Sequence, residues 1–311
     1  MVVLRPRTGL TAHVHIDALH RFPVKSMQGE QIEVAEVGLR GVAGDRAYAL
    51  VDVEDSSIAS AKHPRKWGAL LGFSARFTVE PASDDAPPVV LITFPDGSVL
   101  ASDDAGMDAA LSEVIGRQVR LTSDVPAGGR FEEQWPDIDG LAPQDFIDRT
   151  TSAHEGSEPV SSLDLGSLAP AGTFFDVAVL HLLTKSTLDH LAGLEPGPAF
   201  DVRRYRPNVL VGGSSDGFAE DGWVTQSFGA GGLQAKVSML AVRCIMTTLA
   251  QPGLAQDRDT LRAIASHHRA DIPGLGTWAC AGVYAAVTTP GTVRVGDEVT
   301  VRGLPAPTTT C

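Results

Sequence analysis

Residues 201–213 read DVRRYRPNVLVGG. Arg203, Arg204 and Arg206 crowd ahead of Pro207 and Asn208, after which a short apolar run enters a Gly-Gly turn. The run reads as a strand, and the proline fixes where the backbone turns into it. Guanidinium groups hold phosphate and carboxylate through a planar fork, so the cluster reads as an anion site. Taken alone it reads equally as a solvated strand edge, where arginines guard against edge-to-edge pairing. The anion reading gains from RFPVKSMQG at residues 21–29, a distant stretch of the same basic character. In a chain of formal net charge −13, two such stretches imply one anion site assembled from remote parts of the sequence.

Composition limits the rest. At 311 residues the chain is long enough for one large or two moderate domains. A hydrophobic share of 43% with 20% charged residues is ordinary for a globular protein. The acidic balance argues against nucleic acid and anionic membranes as partners, since both would be repelled. No apolar run of about 18 residues occurs, so no membrane span is expected. The opening MVVLRPRTGL has no apolar core segment, so no secretory signal is expected. Cys244, Cys280 and Cys311 are too few and too irregular for a disulfide framework, which points to the cytoplasm.

Outward from the opening stretch, the pattern is mostly β with some helices. Residues 13–22, 31–37, 46–53, 88–94 and 118–122 read as short strands between Gly, Asp and Ser clusters. Residues 104–115 place Met107, Leu111, Val114 and Ile115 on one helical face. This predicts a small barrel or curled sheet over residues 12–125. Residues 126–173 are dominated by Pro, Gly, Ser and Asp, with Phe131, Trp135, Leu141 and Phe146 in no clear period, and read as a linker or lid. His63-Pro64-Arg65-Lys66, the pair Asp84-Asp85 and the acids from Glu132 to Asp139 read as solvent-facing, with Lys62 a weaker candidate for the site. Residues 174–305 form the second part. It opens with a buried strand over 174–183, a helix N-cap at Thr184 or Ser186, and strands at 208–211 and 233–244. A helix at 258–268 and strands at 283–287 and 292–301 close it.

The order PVKSMQG (23–29), GLRGVAGDRAYAL (38–50), RYRPNVLV (204–211), RCIMTT (243–248) and PGTVRVGDEV (290–299) resembles the MOSC family. More closely it resembles the two-part members with an N-terminal β-barrel domain, relatives of the mitochondrial amidoxime-reducing component. The resemblance implies two β-barrel domains with a pterin-based molybdenum cofactor held between them. Carried over by motif, it implies that Lys25, Ser26, Arg46, Arg204, Arg206 and Asn208 hold the cofactor, with Thr184 and Thr187 meeting its phosphate end. Cationic and hydroxyl groups suit a phosphate and an anionic dithiolene.

One feature departs from that pattern. Family members that reduce N-hydroxylated compounds use a cysteine thiolate as a molybdenum ligand, on a segment some way after the Arg-Cys-x-x-Thr-Thr motif. Cys244 matches that motif's own cysteine, which is not the ligand. The ligand position falls on His267 or His268, an unusual donor for a soft centre. Both histidines read also as residues ending a helix. Cys280 is the alternative ligand, and reads also as a packed core thiol. No cysteine cluster for an iron–sulfur centre follows the MOSC portion, so electrons would come from a separate protein. Three readings follow: a molybdenum oxidoreductase acting on N-oxygenated small molecules, a cofactor or sulfur carrier, or a metal-free enzyme whose anion pocket clamps another small substrate, with His267 or His268 as acid/base.

Overall fold

A computed structural model describes residues 13–83, 86–165, 169–170, 173–214 and 217–303. Asp84-Asp85 and Cys311 lie outside the described residues. Among those described, the chain is mostly strand, arranged as a nine-stranded sheet and four smaller ones. The long strand Leu233–Val242 shows why: Leu233, Ala235 and Val237 point inward while Gln234, Lys236 and Ser238 point out. Its antiparallel partner Gly276–Thr289 is buried at most positions, as befits a strand covered on both faces.

The N-terminal strand does not stay with its own half. His15–Arg21 pairs antiparallel with Val209–Gly212, in the register Leu19 to Val209, and on its other side with Glu30–Ile32. Val34–Gly38 likewise pairs with Gly291–Arg294 from the far end of the chain. Ile16, Leu19, Ala35 and Val37 therefore share one core with Leu182, Val211, Val237 and Val283. Leu180–Thr184 and Val209–Gly212 are parallel neighbours, joined through the helix Lys185–Leu194. Such a parallel pair needs a crossover, and the apolar spacing of Leu188 and Leu191 supplies a helix to make it.

A second core, with Met27, Leu50, Trp67, Phe73, Ile92 and Leu111, lies under the short strands of residues 49–122. The helix Met107–Ile115 covers it, ended by left-handed Gly116. The mostly-β architecture is as expected, but of the small barrel or curled sheet it is the open form that appears: no sheet closes on itself among the described residues. Beyond His15–Arg21 the first half offers strands such as Gly41–Val42, Ser74–Phe77 and Val99–Ala101. These cover their core from several sides instead of continuing into one ladder. Among the described residues no helix is long and apolar enough to cross a membrane.

Residues 126–173 differ from the linker expected of them. They contain the strands Arg130–Gln134, Thr151–Glu155 and Glu158–Asp164, paired as one sheet, and the helix Gln144–Thr150. Phe131, Trp135, Leu141 and Ile147 are buried. Trp135 packs on Phe146 and Trp278 at ring separations of 5.9 and 6.0 Å. The acids that read as solvent-facing have cationic partners. Glu132 meets His63 at 2.9 Å and Lys66 at 2.8 Å, Glu155 meets His63 and Arg65, and Glu133 meets Lys62 at 3.0 Å. Hydrogen bonding from His63, then Lys66, holds the Glu132 carboxyl down at about 2.

At the seam between the halves, Asn208 ties three segments together. Its backbone carbonyl accepts from His20 N–H and its Oδ1 accepts from His181 N–H, while its Nδ2 donates to Asp45 Oδ2 at 2.8 Å. Asp45 Oδ1 in turn accepts from Phe22 N–H at 2.7 Å.

Asn208→Ala is expected to lower unfolding stability by about 3 kcal/mol, because buried partners lose their hydrogen bonds, and urea titration measures it. Glu132 contributes stability that is present above its ordinary value near 4.5 and lost as pH falls toward about 2. Glu132→Gln should therefore cost about 1 kcal/mol at pH 7, after allowance for screening, and that difference should vanish in thermal unfolding near pH 2.

Candidate functional site

Where the sheets meet, a cavity of about 560 Å³ opens. Eight lysine and arginine side chains line it against three carboxylates, an excess of five positive charges in an acidic protein. The 201–213 stretch supplies Tyr205 and Arg206, and the 21–29 stretch supplies Lys25 and Ser26. Arg46 follows from the Gly-Asp-Arg turn, Lys62 from the basic loop, and Arg243 with Cys244 from the end of the long strand. Residues 126–173 form a wall carrying Phe131, Glu133, Trp135 and Phe146.

Backbone strain gathers here. Five non-glycine residues among those described have left-handed φ, and three of them, Ser26 at 66°, Arg46 at 48° and Arg206 at 57°, line the cavity. Such conformations cost about 1 kcal/mol or more each and persist only where the surroundings impose them.

The electrostatics divide the cations in two. Asp176 lies between Lys25 and Lys62, within 3.3 Å of the latter, and the two ammonium groups outweigh burial to hold its carboxyl below the usual range. Burial pushes Lys25 down despite that partner, whereas Asp176 and Glu133 outweigh burial to hold Lys62 well above its ordinary value. Lys25 also donates to Phe174 O, and its ammonium stands 5.2 Å from the Phe131 ring. These two lysines are thus internally matched. Arg206 and Arg243 are not. Arg206 is 8% exposed, stacks 4.1 Å over the Phe22 ring, and its Nη1 has no hydrogen-bond partner. Burial, then Arg46, pushes it down to about 9, which leaves it a cation at neutral pH. Arg243 is 7% exposed and donates through Nη2 to Tyr205 O, but its Nε is unpartnered. The buried Tyr205 hydroxyl is unpartnered as well, and burial pushes both Tyr205 and Tyr284 up, so both stay protonated.

His181 lines the same cavity. Burial, then Arg243, pushes it well below its ordinary value, so the imidazole is neutral. Gly282 makes room for it: a Cβ there would stand 2.5 Å from His181 Nε2, at a φ of +85° that favours glycine.

Of the residues expected at the site, Lys25, Ser26, Arg46, Arg204 and Arg206 line the cavity. Arg204 donates to the carbonyls of Ala199, Thr247, Leu249 and Ala255, which makes it a brace for the wall. Asn208 faces the seam. Thr184 and Thr187 donate to buried Glu220 at 2.6 and 2.8 Å, behind the cavity wall. The expected catalytic trio stands apart from the cavity lining. His267 pairs with Glu195 at the surface, and His268 joins Asp221 and stacks 3.6 Å over Phe218. Cys280 is fully buried, its thiol directed to Trp278 O and pushed up to about 12 by burial. No group of three or more metal-binding side chains is gathered among the described residues.

Asp176, His181, Arg243, Cys244 and the two tyrosines were not expected there. A signal existed for some of them. Arg243 and Cys244 belong to RCIMTT, and His181 and Asp176 interrupt an apolar run, where a polar side chain needs a buried partner.

Comparison with known proteins agrees with this architecture. The MOSC N-terminal beta barrel domain matches residues 13–102 and the MOSC domain matches residues 171–300. Mitochondrial amidoxime-reducing component 1 of Mus musculus is 25% identical, covering 91% of this chain and 80% of the relative. Its Homo sapiens counterpart is 26% identical, covering 91% and 81%. Among solved structures, the YUAD protein from Bacillus subtilis is similar over 94% of this chain and 97% of its own, at 11% identity and a TM-score of 0.44. With both domains present in sequence order, and with the basic motifs of each turned into one cavity, the chain belongs to the MOSC family in its two-part form.

Proposed function

We propose that the cavity binds a pterin-based molybdenum cofactor and that the protein is an oxidoreductase reducing N-oxygenated small molecules, with electrons drawn from a separate protein. The observation that carries this reading is Arg206: a buried guanidinium in a strained backbone, with a buried donor that no protein group accepts, on a residue lining a cavity of excess positive charge. A buried charge in that state costs several kcal/mol unless an anion completes it. Arg243 Nε and the Tyr205 hydroxyl add two further unused donors. Donors of this kind fit a ligand with several anionic oxygens and sulfurs, as a phosphate-bearing dithiolene is. The amidoxime-reducing function in the relatives' name supports the substrate class.

The chain's own groups then divide the work. Arg206, Arg243 and Arg46 neutralise the anion, Lys25 and Lys62 hold the surrounding potential positive, and Asp176 prevents those lysines from repelling one another. Ser26 Oγ accepts the Ala61 N–H at 3.0 Å, which leaves its own O–H free to donate. Tyr205 and Tyr284 remain O–H donors, and neutral His181 accepts from Arg243 Nη1 at 3.4 Å, which orients that guanidinium without adding charge. When bound, the cofactor supplies two-electron transfer and oxygen-atom removal. The substrate approaches along the aromatic wall of residues 126–173, where Phe131, Trp135 and Phe146 exclude water.

Protein produced in a host that makes the cofactor should contain near-stoichiometric molybdenum by mass spectrometry and pterin by fluorescence after oxidation. Arg206→Met should lower both at least about tenfold, the loss expected for one charge-assisted bond. Pterin without metal would favour a carrier. Folded wild-type protein with neither would overturn the molybdenum reading and leave an anion pocket for another substrate.

A further inference from the structure

Of the cationic side chains that line the cavity, all but one have their charge accounted for. Lys25 and Lys62 share Asp176, and Arg46 pairs with Asp45. Arg204 is occupied by backbone carbonyls, while Arg130 pairs with Asp164 at 2.8 Å and donates to Ser162. Arg206 and Arg243 are buried and hold the unfilled donors that the cofactor would take. The remaining cation is Arg149, which is exposed and therefore stands at the open side of the cavity. Its Nε donates at 3.0 Å to Asp145 O, one turn back on its own helix. Neither of its terminal nitrogens meets a carboxylate among the described residues. The three carboxylates of the lining, Glu133, Asp164 and Asp176, are already paired with other cations.

The neighbours of this guanidinium are aromatic. On the helix Gln144–Thr150, Phe146, Arg149 and Thr150 follow the i, i+3, i+4 spacing of one face, and all three line the cavity. The Thr150 hydroxyl is engaged by Phe146 O at 2.8 Å and Ser161 Oγ at 2.6 Å, so that face offers a ring and a guanidinium. The Phe146 ring lies 5.1 Å from Trp278 and 5.9 Å from Trp135, both of which also line the cavity. Their indole N–H groups donate to Leu275 O at 2.8 Å and to Ser161 Oγ at 2.7 Å. The aromatic trio therefore presents ring surface and no free donor, with an uncommitted planar fork beside it. Ring surface recognises another aromatic ring, and a planar fork recognises a carboxylate.

We propose that the substrate is an aromatic molecule bearing a carboxylate at the end away from its N-oxygenated group, and that Arg149 is the residue that selects it. The proposal rests on the reading of the protein as a reductase of N-oxygenated molecules and names the kind it takes. The substrate ring lies against Phe146, Trp135 and Trp278, its carboxylate meets Arg149 at the mouth, and its N-oxygenated end points inward to the buried arginines. An uncharged analogue of the same shape leaves the fork unfilled and is held by ring contact alone.

Calorimetric titration of the cofactor-loaded protein, with no electron donor present, tests this without reference to turnover. The probes are para-carboxybenzamidoxime and its para-carbamoyl analogue, which match in shape and differ in charge. Wild-type protein is expected to bind the acid about tenfold more tightly, the gain of one charge-assisted pair at a partly exposed site. Arg149→Met is expected to abolish that preference while binding the amide as before. Arg149→Lys should keep part of it, and raised salt should shrink it in the wild type. Equal binding of the two probes by wild-type protein, or a preference that survives in Arg149→Met, overturns the assignment even where both compounds are reduced. A preference that Arg149→Met removes, in protein that reduces neither compound once electrons are supplied, overturns the N-oxygenated reading and leaves Arg149 as a carboxylate clamp. Protein that takes up no molybdenum overturns both.

Discussion

Cations taken out of water cost several kcal/mol apiece unless a counter-charge is close, and this chain sets Lys25, Lys62, Arg46, Arg206 and Arg243 around one enclosure. The rest of the architecture is a response to that constraint. Asp176 lies between the lysines, Asp45 pairs with Arg46, and aromatic faces of Phe22, Phe131 and Phe175 cover the remaining cationic surface. What these do not neutralise is concentrated at Arg206 and Arg243, so the cavity has a defined place where a further negative charge belongs.

The same constraint explains the strained backbone. Ser26, Arg46 and Arg206 come from three separate segments, and each turns into the cavity through a left-handed residue. A relaxed backbone would carry these side chains past the enclosure. The joint at Asn208 and Asp45 supplies the rigidity that such strain requires, because it binds Phe22, His20 and His181 into one unit immediately behind the arginines. Anion recognition and fold stability are therefore coupled through neighbouring residues of a single motif.

Much of this was legible in the sequence, and the illegible part has physical causes. The basic stretches at 21–29 and 201–213 could be matched because charge density against an acidic background is visible without geometry. Which side of a motif faces inward is not. Arg206 and Asn208 stand two residues apart, yet one lines the cavity and the other holds the seam. Thr184 and Thr187 read as hydroxyls awaiting a phosphate because Glu220, the carboxylate that occupies them, lies more than thirty residues away. Residues 126–173 read as a linker or lid because their short strands are rich in polar and acidic residues, and those acids are paired with residues 62–66 instead of facing water. Pairing across such distances leaves no periodic mark.

The weave of the N-terminal strand has a consequence for how the molecule comes into being. His15–Arg21 leaves the ribosome early, yet its neighbour Val209–Gly212 follows roughly 190 residues later. At synthesis rates of about 5–20 residues per second, the wait is on the order of 10–40 s. Through that interval the strand has Glu30–Ile32 on one edge and nothing on the other, an exposed template of the kind chaperones shield. Gly291–Arg294, which must pair with Val34–Gly38, is later still. The two ends of this weave are thus drawn together only once residues 291–294 have been made, and a cofactor that needs the assembled cavity must arrive after that point.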